Sequence, residues 1–300
     1  MTEEGLERLR AEVAAQTGVD WQVLLSHRVG RGSHMEMYAF LFRPDRVTWV
    51  EGAVVYIDDR DAFAREPFSA VFRTHDGLDF VLTSVHVIYG KTVEGRQREA
   101  EALAEYRLWL EESFPGLPIY VAGDFNLPPT DPAWREPGRA SFPLIREGAT
   151  TLSSHDGRYA NLYDNIWAPV GIPLPLADTG IDLFPQTRLG ISHETARATV
   201  SDHAPVFMVL DPAADPVVLE PWSDVLSPEP RPEKRRGPEF AAALDTPLSV
   251  GGAAVAGNIR SSIYHLSHCP GYRQMAERNK VMFDTEAEAV AAGYRMAKNC

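Results

Sequence analysis

The sequence predicts a mixed α/β or α+β body, and two observations carry this prediction. Short apolar runs bounded by turn residues recur through the first 210 residues, as is typical of buried strands. Helical periodicity interrupts them at residues 4–16 and about 95–114. Such an alternation indicates helices packed on sheets. The 300 residues are 44% hydrophobic, which is enough for a substantial core.

Each predicted element has its own signal. The first helix carries Leu6, Leu9 and Val13 at helical spacing, and the second carries Leu103, Tyr106, Leu110 and Phe114 before Pro115-Gly116 ends it. The predicted strands are Met37–Phe42, Val54–Ile57, Ser69–Arg73, Phe80–Val85, Ile119–Ala122, Asn165–Ala168 and Pro205–Leu210. Turn formers such as Asp76-Gly77 separate them.

The composition changes after Leu210, which predicts three regions: a main body at 1–212, a proline-rich charged linker at 213–254 and a small C-terminal module at 255–300. The two cysteines, Cys269 and Cys300, both lie in the last region. The body is therefore not a disulfide scaffold, and packing must stabilise it.

The formal net charge of −13 argues against non-specific adhesion to polyanions. An acidic chain that acts on nucleic acid needs divalent cations, local arginines or a basic appendage to approach phosphate. No run of about 18 apolar residues predicts a transmembrane span, so no membrane partner is expected.

Four polar motifs lie beside predicted strands. Asp124 and Asn126 follow one strand, Asp202-His203 precedes another, His86 ends a third, and Tyr163-Asp164 precedes a fourth. Each motif alone has an ordinary explanation as a turn or a cap. Together they predict a cluster of carboxylates and imidazoles at one rim of a sheet. Phosphodiester hydrolysis needs such a cluster, because carboxylates hold Mg²⁺ and histidines transfer protons.

With these motifs in place, the sequence resembles the deoxyribonuclease I-like branch of the endonuclease/exonuclease/phosphatase superfamily. The segment Gly30–Pro44 is similar to that branch's Gly-Arg…Glu-x-Tyr-x-Phe segment, and Phe63–Pro67 is similar to its arginine loop. Gly190–Glu194 also follows the pattern, and the resemblance runs in order from about residue 21 to 210. It implies a four-layered α-β-β-α sandwich and a deoxyribonuclease-like catalytic domain at 1–212.

The resemblance also implies roles for individual residues. The implied histidine–carboxylate pairs are His86 with Glu36 and His203 with Asp164. Cation ligands, or their close neighbours, would be Asp124 and Asp202. Substrate phosphate would be bound by Arg65, Asn126 and Tyr163. Which histidine is the acid and which the base stays open at this point.

One departure from the family pattern concerns the start of the sequence. In the family, a strand carrying asparagine and a strand ending in Gln-Glu precede the first helix, and that glutamate is a principal metal ligand. Neither Glu3 nor Glu4 follows an apolar strand, so neither is a substitute. The expectation is that the first strands are missing and that Met1 is not the natural start. The 300-residue form is then expected to be weakly active. Cytoplasmic location is the default, with export if a signal peptide precedes the missing part.

The C-terminal module resembles a small Ada-type metal-binding fold appended to bacterial nucleases. A module of about 44 residues has little core and needs a staple. His265, Cys269 and Cys300, with His268 as a further candidate, suit Zn²⁺. A disulfide between Cys269 and Cys300 is an equal alternative, because only two of the four thiols of an Ada-type site are present.

The function predicted from these features is a metal-dependent endonuclease that hydrolyses DNA, with RNA as a further substrate, and leaves 5′-phosphates. The expected cofactor is Mg²⁺, with Mn²⁺ or Ca²⁺ as alternatives. Two other functions stay open: a phosphodiesterase or phosphatase of the same fold on another substrate, and a catalytically impaired nucleic-acid-binding protein.

Overall fold

The computed structural model describes residues 3–31, 34–155, 157–226, 255–258, 263–268, 272 and 280–297. The chain divides into two units, Met1–Arg231 and Pro232–Cys300. The helices of the first unit are α1 (Glu3–Thr17), α2 (Val93–Ser113), α3 (His193–Thr199) and α4 (Trp222–Leu226). Its strands are β1 (Gln22–Leu25), β2 (Val29–Arg31), β3 (His34–Glu36), β4 (Ala39–Phe42), β5 (Val47–Val55), β6 (Phe68–Thr74), β7 (Asp79–His86), β8 (Ile119–Asp124), β9 (Ser141–Pro143), β10 (Asp164–Pro169), β11 (Pro173–Leu174), β12 (Leu176–Ile181), β13 (Val206–Leu210) and β14 (Val217–Val218).

A six-stranded sheet forms the centre of this unit, in the order β5-β6-β7-β8-β10-β9. Strands β7 and β8 are parallel, and α2 is the crossover between them. The other neighbours in the sheet are antiparallel. The mixed order brings the C-terminal ends of β7 and β8 to the same edge as the N-terminal end of β10.

Helix α2 covers one face of this sheet with the stripe that the sequence predicts. Leu103, Tyr106 and Leu110 are buried there with strand residues such as Val81 and Ile119. The helix begins after Thr92, whose side chain accepts a hydrogen bond from the backbone N–H of Gly95. The observed bounds differ from the predicted ones by two residues or fewer at each end.

A second layer packs on the opposite face of the sheet. It consists of two-stranded ladders, β1 with β4 and β12 with β13. Their side chains, including Phe40 of β4 and Met208 of β13, join Phe68, Phe72 and Tyr120 of the six-stranded sheet in one apolar cluster. The predicted mixed α/β sandwich with a central sheet is thus confirmed.

The first unit extends beyond the predicted body boundary at residue 212. Strand β14 pairs with β11, and Trp222 is buried in the core cluster beneath α2. The Trp222 indole also donates a hydrogen bond to the backbone carbonyl of Pro129 at 2.7 Å. The short apolar run Val217–Leu219 and the isolated Trp222 lie among prolines and acidic residues and give no periodic signal, so the sequence assigned residues 213–226 to the linker. Residues 227–254 lie outside the described part.

The described residues of the second unit include a four-stranded sheet and a short helix. Its strands are β15 (Val255–Asn258), β16 (Ile263–Leu266), β17 (Lys280–Phe283) and β18 (Arg295–Met296), in the order β17-β15-β16-β18, and its helix is α5 (Glu286–Ala291). Gly257 lies against the rings of Tyr294 and Phe283, so closely that any side chain there would overlap them.

The predicted zinc or disulfide site can be located only in part. His265 lies in β16, and its Nδ1 is buried without a hydrogen-bond partner among the described residues. Cys269 and Cys300 fall outside the described residues, so the choice between zinc and a disulfide stays a prediction.

No helix in the described ranges has both the length and the apolar character needed to cross a bilayer.

Candidate active site

Strand register sets the centre of the site. His86, the last residue of β7, is paired with Asp124, the last residue of β8. Asp124 is also paired with Asp164, the first residue of β10. Because residues opposite each other in a sheet direct their side chains to the same face, the three functional groups emerge together.

The backbone on either side of Asp124 requires particular residue types at Gly123 and Asn126. Gly123 has φ of +150°, and a Cβ there would overlap the backbone carbonyl of Val85 in the neighbouring strand. Asn126 adopts φ of +49°, a left-handed conformation that asparagine tolerates better than most residues. Its backbone N–H donates to Oδ1 of Asp124 at 2.8 Å, which fixes the carboxylate.

The first histidine–carboxylate pair joins His86 to Glu36 of β3. Nδ1 of His86 lies 2.7 Å from Oε2 of Glu36, and Nε2 lies 3.6 Å from Oδ2 of Asp124. The Tyr38 hydroxyl accepts a hydrogen bond from the His86 backbone N–H at 3.0 Å. Glu36 therefore orients the imidazole, leaving Nε2 directed toward the centre of the site.

The second pair joins His203 to Asp164. Nδ1 of His203 lies 2.7 Å from Oδ2 of Asp164 and 3.9 Å from Oδ2 of Asp124. The hydrogen bond to Asp164 raises the pKa of His203 above its ordinary 6.5, and the charges of Asp124 and Asp202 add to the effect. The imidazolium form of His203 therefore persists to higher pH than in a free histidine.

Asp124 and Asp164 bring two carboxylates together in a poorly hydrated place, each with only 16% of its side chain exposed. Burial raises the pKa of Asp124, and the neighbouring charge of Asp164 raises it further. Oxygen atoms of both carboxylates and a ring nitrogen of His203 lie within 4.8 Å of one another. These groups could hold a metal ion, whose charge would relieve the repulsion between the carboxylates.

Six residues of the polar strand-end motifs that the sequence placed at one rim line a single cleft of about 800 Å³. They are His86, Asp124, Asn126, Asp164, Asp202 and His203. Tyr163 lines the same cleft. Asp202 stands apart from the metal-binding group: its side chain is 59% exposed and lies 3.7 Å from Arg197.

All three expected phosphate-binding residues, Arg65, Asn126 and Tyr163, have hydrogen-bond partners within the protein. Arg65 is largely buried: its Nε lies 3.0 Å from Oε1 of Glu36, in an ion pair too bent for a hydrogen bond, and its Nη1 donates to the His86 carbonyl at 3.2 Å. The Asn126 side chain donates to the Val87 carbonyl at 2.8 Å. In this structure Arg65 thus supports the His86–Glu36 pair from behind instead of lining the cleft.

Sequence reasoning missed Glu99, a buried carboxylate of α2. Its two oxygens accept hydrogen bonds from the backbone N–H groups of Ala64 at 2.8 Å and Ile88 at 2.9 Å. It therefore holds the segment before Arg65 against the segment after His86, and burial raises its pKa. The sequence signal that could have identified Glu99 is its position, four residues before Leu103 on the buried stripe of α2.

Two arginines near the cleft were also missed. Arg197 lines the cleft beside Asp202, and Arg96 contacts Asn126 and Tyr163. Arg96 lies one turn before Glu99 on the same side of α2, whereas no sequence pattern singled out Arg197.

Sequence comparison finds similarity to proteins named deoxyribonuclease. A deoxyribonuclease from Thioalkalivibrio sp. (strain K90mix) is 48% identical over 221 residues, which cover 70% of this chain and 61% of that protein. Human deoxyribonuclease-1 is 28% identical over 209 residues, covering 63% of this chain and 70% of that protein. The chain thus spans less than two thirds of the length of its bacterial relative. No protein-family model matches the chain.

Among solved structures, a functionally unknown conserved protein from Enterococcus faecalis V583 has a TM-score of 0.51. It is 13% identical and the match covers 68% of this chain and 82% of that protein, so the likeness concerns the fold alone. This chain is therefore similar in sequence to proteins named deoxyribonucleases and similar in fold to a protein of unknown function.

Proposed function

We propose that this chain is a metal-dependent endonuclease that hydrolyses phosphodiester bonds of DNA and leaves 5′-phosphates. One observation carries the proposal: two histidine–carboxylate pairs, His86–Glu36 and His203–Asp164, flank Asp124 within one cleft. Mere binding of nucleic acid needs no such paired proton-transfer groups. Similarity to proteins named deoxyribonucleases supports DNA as the substrate.

The carboxylates of Asp124 and Asp164 fit a hard divalent cation such as Mg²⁺, Mn²⁺ or Ca²⁺, because these ions prefer oxygen ligands. The burial of Asp124 and the nearby charge of Asp164 raise the pKa of Asp124. A bound cation would relieve the repulsion between the two carboxylates. When bound, the cation would neutralise charge that develops on the phosphoryl oxygens. Asp202, with its exposed carboxylate, remains a candidate for an additional ligand.

The raised pKa of His203 favours it as the proton donor. Its protonated ring would give a proton to the departing 3′ oxygen as the P–O3′ bond breaks. His86 would accept a proton at Nε2 from the attacking water, since Glu36 already occupies its Nδ1. The water oxygen then forms the new bond to phosphorus, which leaves a 5′-phosphate and a 3′-hydroxyl.

Tyr163 and Asn126 line the cleft beside these groups, and in this proposal they contact the scissile phosphate. Arg65 keeps Glu36 in place and contributes positive charge near the same phosphate.

Nicking of supercoiled plasmid DNA tests the proposal. The reaction should require a divalent cation and stop with a chelator, and His86→Ala and His203→Ala should each lower the rate by about 10² to 10⁴-fold. His75→Ala is the matched control, because His75 is exposed in the β6–β7 turn at the opposite end of β7 from His86. Undiminished cleavage in both active-site variants would refute the mechanism.

A further inference from the structure

Tyr89 is an exposed aromatic residue at the catalytic cleft. It lies three residues after His86 and lines the cleft together with Asn126 and Tyr163, yet 59% of it is exposed. A large ring that lies beside the reacting groups and is not packed into the core is available for contact with a substrate.

Arg96 fixes this ring. Its Cζ lies 3.9 Å from the centroid of the Tyr89 ring, which is the geometry of a cation–π contact. Its Nε donates to the Tyr89 backbone carbonyl at 2.6 Å. One face of the ring is therefore covered by a guanidinium, and the exposed remainder is held in a defined orientation.

The same guanidinium also contacts Asn126 and Tyr163, two residues that line the cleft. Nη1 of Arg96 lies 3.3 Å from the Asn126 carbonyl and 3.4 Å from the Tyr163 hydroxyl. Within the described part of the chain, no carboxylate forms an ion pair with Arg96, and its Nη2 has no hydrogen-bond acceptor. By contrast, Arg197 lies 3.7 Å from Asp202. Arg96 thus places an unneutralised positive charge against three residues that line the cleft, Tyr89, Asn126 and Tyr163.

We propose that Tyr89 and Arg96 form a subsite for the nucleotide next to the scissile phosphate, with its base stacked on Tyr89 and its phosphate bound by Nη2 of Arg96. The inference rests on the proposed nuclease function and deepens it. Stacking on an aromatic side chain and ion pairing with arginine are the two interactions by which proteins hold single-stranded nucleic acid without reading its sequence. A base that is free to leave its neighbours, as in a single strand, suits this subsite best.

A comparison of two substrates separates the subsite from a structural role. One is a single-stranded DNA 12-mer, and the other is bis(4-nitrophenyl) phosphate, a diester that has no nucleotide to occupy the subsite. Tyr89→Ala and Arg96→Gln should each lower kcat/KM for the 12-mer about ten-fold more than for the small diester, within the range of one base–aromatic stack. Tyr89→Phe keeps the ring and should restore most of the loss.

Two variants serve as matched controls. Trp49→Ala removes a similarly exposed aromatic ring from β5, and Arg60→Gln removes an exposed arginine that is paired with Glu105. Neither residue lines the cleft, so neither variant should discriminate between the substrates. Thermal unfolding should show that all the variants are folded.

Equal losses of kcat/KM on both substrates would refute the proposed subsite. They would show that Tyr89 and Arg96 only support the segments that carry Asn126 and Tyr163. An absence of loss would overturn the subsite as well. If wild type cleaves neither substrate, the proposed hydrolysis fails. In that case the subsite is tested by measuring the affinity for a fluorescently labelled 12-mer. Tyr89→Ala should weaken binding about ten-fold, and unchanged or absent binding would refute the subsite.

Discussion

Asp124 and Asp164 lie directly opposite each other in the antiparallel pairing of β8 with β10, so two carboxylates leave the sheet side by side. His86 is paired with Asp124 on the other side. Backbone hydrogen bonding thus imposes a repulsive contact that the folded protein must tolerate. Sites built to bind cations have this property, since the ion supplies the missing attraction.

Asp124→Asn tests this repulsion. The pKa of Asp124 is raised above its ordinary 3.8, so the folded state loses stability from this group as the pH rises through its folded pKa. The neutral variant lacks that loss. In the absence of divalent cations, the free energy of unfolding of Asp124→Asn relative to wild type should therefore increase as the pH rises above the ordinary pKa of 3.8, measured by urea unfolding.

A divalent cation should reverse this order of stability between wild type and Asp124→Asn. A ligand that binds only the folded state stabilises it, so Mg²⁺ or Mn²⁺ should raise the Tm of wild type and have much less effect on Asp124→Asn. The variant should also lose plasmid nicking. A wild-type Tm that does not respond to any of these cations would contradict the assigned ligands.

The pKa of His203 provides a second prediction. Because its hydrogen bond to Asp164 is the main cause of the raised pKa, Asp164→Asn should lower the pKa of His203. NMR titration of the imidazole in cation-free protein measures this shift. Asp178→Asn is the matched control, since Asp178 is exposed on β12 and bonds locally to Thr179. An identical His203 pKa in wild type and Asp164→Asn would show that the pair is not formed in solution.

Gly123 provides a test of the strand pairing that positions Asp124. Gly123→Ala would drive a Cβ into the carbonyl of Val85 and strain a left-handed backbone. We expect a loss of at least about 2 kcal/mol in the free energy of unfolding, together with loss of nicking. Gly95→Ala is the control, because Gly95 lies in α2 and an added Cβ would meet only Thr92 Oγ1, at an ordinary contact distance of 3.8 Å. Helix propensity predicts that this control stabilises the protein by up to about 1 kcal/mol. Similar stability in the two variants would contradict the tight β7–β8 approach.

The sequence alone determined the elements that have a strong local signal. Apolar runs located the central strands β6, β7, β8 and β10, and the stripe at Leu103, Tyr106 and Leu110 located α2. The sequence did not predict β12, whose large apolar residues, Leu176 and Ile181, lie only at its two ends, and it did not predict the packing of Trp222. Those elements are stabilised by partners distant in the chain, which leave no periodic pattern.

The candidate site could likewise be predicted from the sequence only in part. Polar motifs at strand ends predicted which side chains share the cleft, because the residue that follows a buried strand reaches the edge of the sheet. Only the tertiary structure decided how they pair and which of them face the cleft. Arg65 lies behind His86 and Glu36, and Arg96 reaches Tyr89 from α2. The physical reason is distance: hydrogen bonds and ion pairs act over about 3 to 4 Å. Strand register and helix packing, not local sequence, bring Glu36 to His86 across 50 residues of chain.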